Sequence, residues 1–307
     1  SLKYFIGEFE YPKDKKDIQS HLIQQLANLD DPKVNSFFEQ FYVKSYNNSN
    51  AQTKILCAVT KKNDEASTKL LLELMSKDLP LVSNTYEIHQ IFKPYLDSLP
   101  LAKKLYPEIL DYSTIEEYKS PIFSMLAKLQ SKGLLKPKSY KKYRKQILND
   151  AKIQLKRQLG QLAQEYEERN FYNKAIGIDS KILENYAVLL YPFVAEKEVR
   201  LFFNRLVLVK DPGVQTTYAA LLSKDEMTLP FGKLDSLAAD INSRLILYSK
   251  LKEIGKLNLF PSKYHNEKSL AEASLFDYRS YDSQRDSIVF VEQQPLRYKG
   301  KSYTGYY

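Results

Sequence analysis

Cysteine is nearly absent. The 307 residues include one, Cys57, which excludes an internal disulfide and a cysteine-rich zinc site. Its neighbours Ile55, Leu56, Ala58 and Val59 mark it as a small buried hydrophobe rather than a nucleophile. Glycine is scarce, nine in all. Strand-rich and phosphate-binding folds use glycine for turns and for close backbone approach, so its scarcity favours helices. Tryptophan is missing, which argues against the indole platforms common in glycan sites. No apolar run approaches membrane-spanning length. The chain opens at Ser1 without a visible leader and stops abruptly at Tyr306-Tyr307, so it reads as a piece of something longer.

What is present is a mixture of 43% hydrophobic and 27% charged residues, enough for a real core under a polar surface. Net charge is +9. Most of that excess lies in one window, 136–158, where Lys136, Lys138, Lys141, Lys142, Arg144, Lys145, Lys152, Lys156 and Arg157 face a single acid, Asp150.

Short amphipathic segments succeed one another, jointed at Asp-Pro, Ser-Pro or Leu-Pro. Asp31-Pro32-Lys33-Val34 and Asp211-Pro212-Gly213-Val214 open two of them in nearly the same way, with Asp as N-cap and Pro in the first turn, where its missing donor costs nothing. The spacing predicts helices over 15–29, from Asp31 through Tyr42, over 51–61, 65–76, 84–97, 100–112 and 121–132, then one long helix over 139–168. A further helix is expected over 178–194; 201–209, apolar almost all round, reads as a central buried helix or a strand, with helix favoured. Another opens at Asp211, and a last one spans 234–254 before Gly255. Residues 2–11 fit a short strand or a helix tail equally. After Pro261 the character changes: Ile288–Val291 reads as a strand, and Tyr298–Tyr303 as a hairpin turn between strand-like arms.

No constellation names a reaction. His21, His89 and His265 are far apart, without a second ligand at helical spacing. Gly300-Lys301-Ser302 imitates a phosphate loop, but Pro295 stands where its first glycine belongs and no helix follows. The basic window is the strongest non-structural signal. Clustered cations attract phosphates, acidic proteins or anionic head groups. Charge runs are also the ordinary solvated side of a long helix, and Tyr140 and Tyr143, in line with Ile147, belong in the core on that reading. The candidate binding residues are Lys138, Lys141, Lys142, Arg144, Lys145, Lys152, Lys156 and Arg157.

The pair over 51–80, with Ile55, Ala58, Leu70, Leu71 and Leu74 at the packing positions, resembles a divergent HEAT-like unit; such repeats run ~40–47 residues. The 211–255 segment is similar in style. The stretch as a whole resembles the helical-repeat tail of long bacterial proteins with a TraB/GumN-type domain upstream, though no catalytic residue of that family maps onto it. That likeness implies an exported, envelope-related setting.

The expected fold is therefore all-α: an α-α superhelix of stacked helical hairpins, HEAT- or ARM-like, over 12–260, with a short β-rich tail over 280–307. The tail is either part of this domain or the start of another. The expected role is a non-catalytic scaffold for a protein or peptide partner, with no cofactor and no metal. One alternative is a basic module binding nucleic acid or another polyanion through 136–158. A second is an accessory domain of an enzyme whose active site lies elsewhere.

Overall fold

The structure is a computed structural model and describes residues 16–29, 31–45, 48–80, 85–165, 173–277 and 291–306. Among them the fold is all-α with a short C-terminal β-hairpin. The chain divides into two compact units, Ser1–Lys142 and Tyr143–Tyr307.

The first unit holds α1 (Lys16–Ala27), α2 (Pro32–Lys44), α3 (Ser49–Thr60), α4 (Glu65–Lys77), α5 (Thr85–Asp97), α6 (Leu99–Ile109), α7 (Glu116–Ser131) and the single turn α8 (Pro137–Tyr140). The joints are built by side chains. Asp31 accepts from the Lys33 amide and Asn48 from the Ala51 amide. Asp64 and Ser67 form a reciprocal capping box, a device whose capping residue contributes about 1 kcal/mol. The amphipathic stripes then force a stacking order. Helices α1, α3, α5 and α7 pack in succession, α2, α4 and α6 do likewise, and α6 closes on α7. Leu26, Val34, Phe38, Ile55, Leu56, Leu71, Leu74, Ile91, Phe92 and Ile122 are sealed between these rows. Each contributes roughly 1.5–3 kcal/mol by leaving water.

The second unit holds α9 (Arg144–Glu165), α10 (Asn173–Leu190), α11 (Lys197–Leu206), α12 (Pro212–Lys224), α13 (Lys233–Ala239), α14 (Ile241–Glu253) and α15 (Glu267–Asp277), then β1 (Gln293–Tyr298) and β2 (Lys301–Tyr306). Helices α9, α10, α12, α14 and α15 pack each on the next; α11 and α13 lie against α12. Leu237, Ala238, Leu247, Leu251 and Phe260 form one apolar cluster with Ala219. The strands pair antiparallel, with Tyr298 opposite Lys301, through Lys299 and Gly300 at positive φ. That is the primed turn matching the twist of a two-residue hairpin.

Several boundaries differ from the sequence expectation. The long helix over 139–168 is interrupted: a 3-10 turn at Lys141–Tyr143 separates α8 from α9. A 3-10 turn eclipses residues three apart, and Tyr140 and Tyr143 are both buried, the core assignment their spacing suggested. The helix over 234–254 is two, because Asp240 takes an extended conformation and caps α14 through the Asn242 amide and the Ser243 hydroxyl. The helix over 201–209 is α11, four residues earlier and amphipathic rather than apolar all round. Leu201 is 52% exposed and Leu208, just beyond it, 60%. Proline is not only punctuation: Pro94, Pro107 and Pro121 lie inside helices. Helix α7 starts at Glu116 rather than Pro121, and α15 lies beyond residue 260. Residues 2–11 and 288–290 lie outside the described residues, and Val291 is unpaired coil.

Candidate binding surface

Helix α9 buries Ile147, Leu148, Ala151, Leu155 and Gln158 along one line. Helical geometry puts Lys145, Lys152 and Lys156, at i, i+7 and i+11, on another line about a third of a turn round from it. Ile153, half exposed, and Arg157 lie beyond that line, on the side opposite the buried residues. The cations differ in what they meet. Arg144 is half-buried, donates to Glu196 and lies over the Phe193 ring at 5.6 Å. Lys152 Nζ reaches Glu198 Oε2 at 2.5 Å. The hydrogen bond and charge of Lys152 hold the Glu198 carboxyl below its usual range. Lys145, Lys156 and Arg157 are exposed and make no ion pair among the described residues.

Both acids that answer α9 lie at the start of α11. The buried face of α11 is Val199, Phe202, Phe203 and Leu206, with the Phe202 and Phe203 rings edge-on at 5.5 Å. Its outer face carries Lys197, Arg200, Leu201, Asn204 and Arg205. Arg200 and Arg205 have no carboxylate partner among the described residues. The acids of this face are thus occupied by α9, while arginines and leucines remain outward.

The remaining predicted cations belong to the first unit. Lys136, Lys138, Lys141 and Lys142 are all exposed, and Lys142 Nζ lies 3.2 Å from Asp111 Oδ1. The basic window therefore passes from one unit into the other between Lys142 and Tyr143. Lys138, Lys141 and Lys142 form one group there. Arg144, Lys145, Lys152, Lys156 and Arg157 form another with α11.

The histidines do not converge. His21 is exposed. His89 is half-buried, its Nε2 3.2 Å from Ser120 Oγ, and burial lowers its pKa. His265 packs against Tyr248 and Phe260. Cys57 is half-buried rather than fully buried; burial and the nearby Glu87 push its thiol up to about 12, so it stays protonated and unreactive. Among the described residues no group of His, Cys, Asp and Glu could hold a metal, and no helix is long and apolar enough to cross a membrane.

Sequence reasoning missed the polar groups in the second interior. Glu184 of α10 accepts from the Thr217 hydroxyl of α12 at 2.8 Å and from Lys250 Nζ of α14 at 2.6 Å. Burial alone would raise this carboxyl; Lys250 and Lys181 outweigh it and hold it below its usual range. Arg244 donates to the carbonyls of Ala238, Ala239 and Ser269 and to Glu272. Both sets tie helices together rather than face a substrate. The chain matches no protein-family model, no curated protein and no solved structure.

Proposed function

We propose that this chain is a non-catalytic interaction scaffold of HEAT-like helical hairpins, holding a protein partner on the outer face of α9 and α11. The observation that carries this reading is the pattern of that face: Lys145, Lys156, Arg157, Arg200 and Arg205 lack carboxylate partners among the described residues and stand beside exposed Ile153, Leu201 and Leu208. Unpaired cations raise encounter rates with an anionic partner, and solvated aliphatics among them offer apolar area that only a docked surface covers. Packed helices preorganise the face, which keeps the entropic cost of binding low. The TraB/GumN-like setting, an enzyme upstream with this stretch as its accessory, is compatible with the same role.

The test is site-specific photocrosslinking of the full chain in cells, with a photoreactive residue at Lys156 or Leu201 and, as control, at exposed Lys69 of α4. Protease-sensitive adducts at 156 and 201, and none at 69, are expected. Nuclease-sensitive adducts would transfer the face to the polyanion reading. Absence of any adduct would remove the scaffold reading for this face.

A further inference from the structure

Resting on that reading, we infer that the outer stripe of α11 docks an acidic amphipathic helix. Lys197, Leu201, Asn204 and Leu208 follow one another at steps of four, three and four residues. That is the spacing of a coiled-coil seam, leucines at one seam position and polar residues at the other. Leu208 extends the stripe through the tight turn after α11, in which its amide bonds the Arg205 carbonyl at 3.1 Å. Arg200 and Arg205 occupy the flanking positions where a seam sets its partner's charge. Of the other two flanking residues, Glu198 is neutralised by Lys152 at 2.5 Å and Val207 is half-buried. The stripe therefore presents two leucines seven residues apart between arginines, and the complementary surface is a helix with apolar residues seven apart and glutamates beside them.

Other occupants fit less well. A second copy would set arginine against arginine. Nucleic acid uses phosphate contacts and stacking rings, whereas the exposed apolar groups of this stripe are aliphatic and the aromatics of α11, Phe202 and Phe203, are buried. A bilayer takes an uninterrupted apolar face, and here Lys197 and Asn204 lie in line with the leucines.

The probe is a fluorescein-labelled synthetic peptide of three heptads with leucine and glutamine at the seam and glutamate at both flanks. Its binding to the full chain is read by anisotropy at low and high salt. Two or three helical turns of contact give a small, transient interface, so a dissociation constant on the order of 10 µM at low salt is expected, weakening with salt. Arg200→Glu/Arg205→Glu should weaken binding about tenfold or more and recover it with the lysine-flanked version of the peptide, the signature of complementary flanks. Leu201→Ser/Leu208→Ser should abolish binding of either peptide. Equal binding of a scrambled peptide of the same composition would overturn the inference. So would binding of duplex DNA, or of phosphatidylserine-containing vesicles, in place of the peptide. If protein adducts form at Leu201 while the peptide fails, the scaffold reading stands and the acidic helix falls; if both fail, both fall.

Discussion

The two units satisfy their buried polar groups by different chemistry. In the first, neutral hydroxyls do it. Tyr42 of α2 donates to the Asp78 carbonyl at 2.7 Å, Tyr118 of α7 to the Pro80 carbonyl at 3.0 Å, and Tyr95 of α5 to Thr68. Tyr42 and Tyr118, with Gln52 on the Asp78 carboxylate, gather three helices onto the joint that ends α4. In the second unit charged groups do the same work: Glu184, Lys250 and Arg244. A tyrosine brings its own apolar body into the core and leaves only one hydroxyl to satisfy. A buried ion must be fully compensated, and removing one partner leaves the other exposed to the whole desolvation penalty. Loss of a polar group should therefore cost the first interior less than the second.

The largest effect is expected at Arg244. It is 6% exposed, and its guanidinium joins the C-terminal end of α13 to α15 while lying over Tyr264. Arg244→Ala leaves the carbonyls of Ala238, Ala239 and Ser269 without these donors and should cost about 3 kcal/mol. Hydrogen exchange of the full chain should show amides of α13–α15 accelerating while those of α3 and α5 do not. Unchanged protection in α14 would mean that the charge is not needed.

Glu184→Gln comes next, at about 2 kcal/mol, less than a fully buried pair because Lys250 keeps some access to solvent. The close approach of α12 makes this pocket tight: a Cβ on Gly213 would stand 2.5 Å from Glu184 Oε1. The effect depends on pH. The Glu184 carboxyl is held below its usual value, so its contribution is fully present above the ordinary carboxylate range, about 4.3, and is lost as pH falls through the folded value. Wild type and variant should differ by the full amount at neutral pH and converge in acid, measured as denaturation midpoints across a pH series. A difference that persists at low pH would show that shape, not charge, is what the site requires.

How much of this was legible in the sequence follows from which interactions are local. The caps at Asp31 and Asp211 and the 51–80 hairpin follow from residues within a few positions of each other, as does the turn at Lys299-Gly300, and they could be read directly. So could the burial of Tyr140 and Tyr143, fixed by their alignment with Ile147. The break at Asp240 was hidden because the apolar period continues across it; only the side chain's competition for the Asn242 amide and the Ser243 hydroxyl interrupts the helix. Glu184 was invisible because Thr217 and Lys250 lie 33 and 66 residues away. Among the candidate site residues, the cations of α9 were visible as composition. Which of them stay unpaired depends on Glu196 and Glu198, supplied by another helix. The outward leucines in and just after α11 carried a signal, the heptad step from Leu201 to Leu208, but Val207 and Val209 beside them made the segment look uniformly apolar.

The smallest effect is expected in the first unit. Tyr118→Phe removes one buried hydroxyl and keeps the ring, which packs edge-on to Phe92 at 6.3 Å. The Pro80 carbonyl loses this donor, and the cost should be about 1 kcal/mol. Burial, followed by the nearby Tyr42, raises the Tyr118 pKa, so the hydroxyl remains a neutral donor throughout the range in which Glu184 titrates. The penalty should accordingly stay flat from neutral pH into acid, where that of Glu184→Gln vanishes. On the neighbouring helix α5, burial lowers the pKa of His89. A depressed histidine contributes stability above its ordinary value, about 6.5, and loses it as pH falls toward the folded value. Wild type and Tyr118→Phe share that loss, so it cancels in their difference. A Tyr118→Phe penalty that shrank in acid alongside that of Glu184→Gln would mean that the first interior also depends on a charged group, and the contrast between the two units would fail.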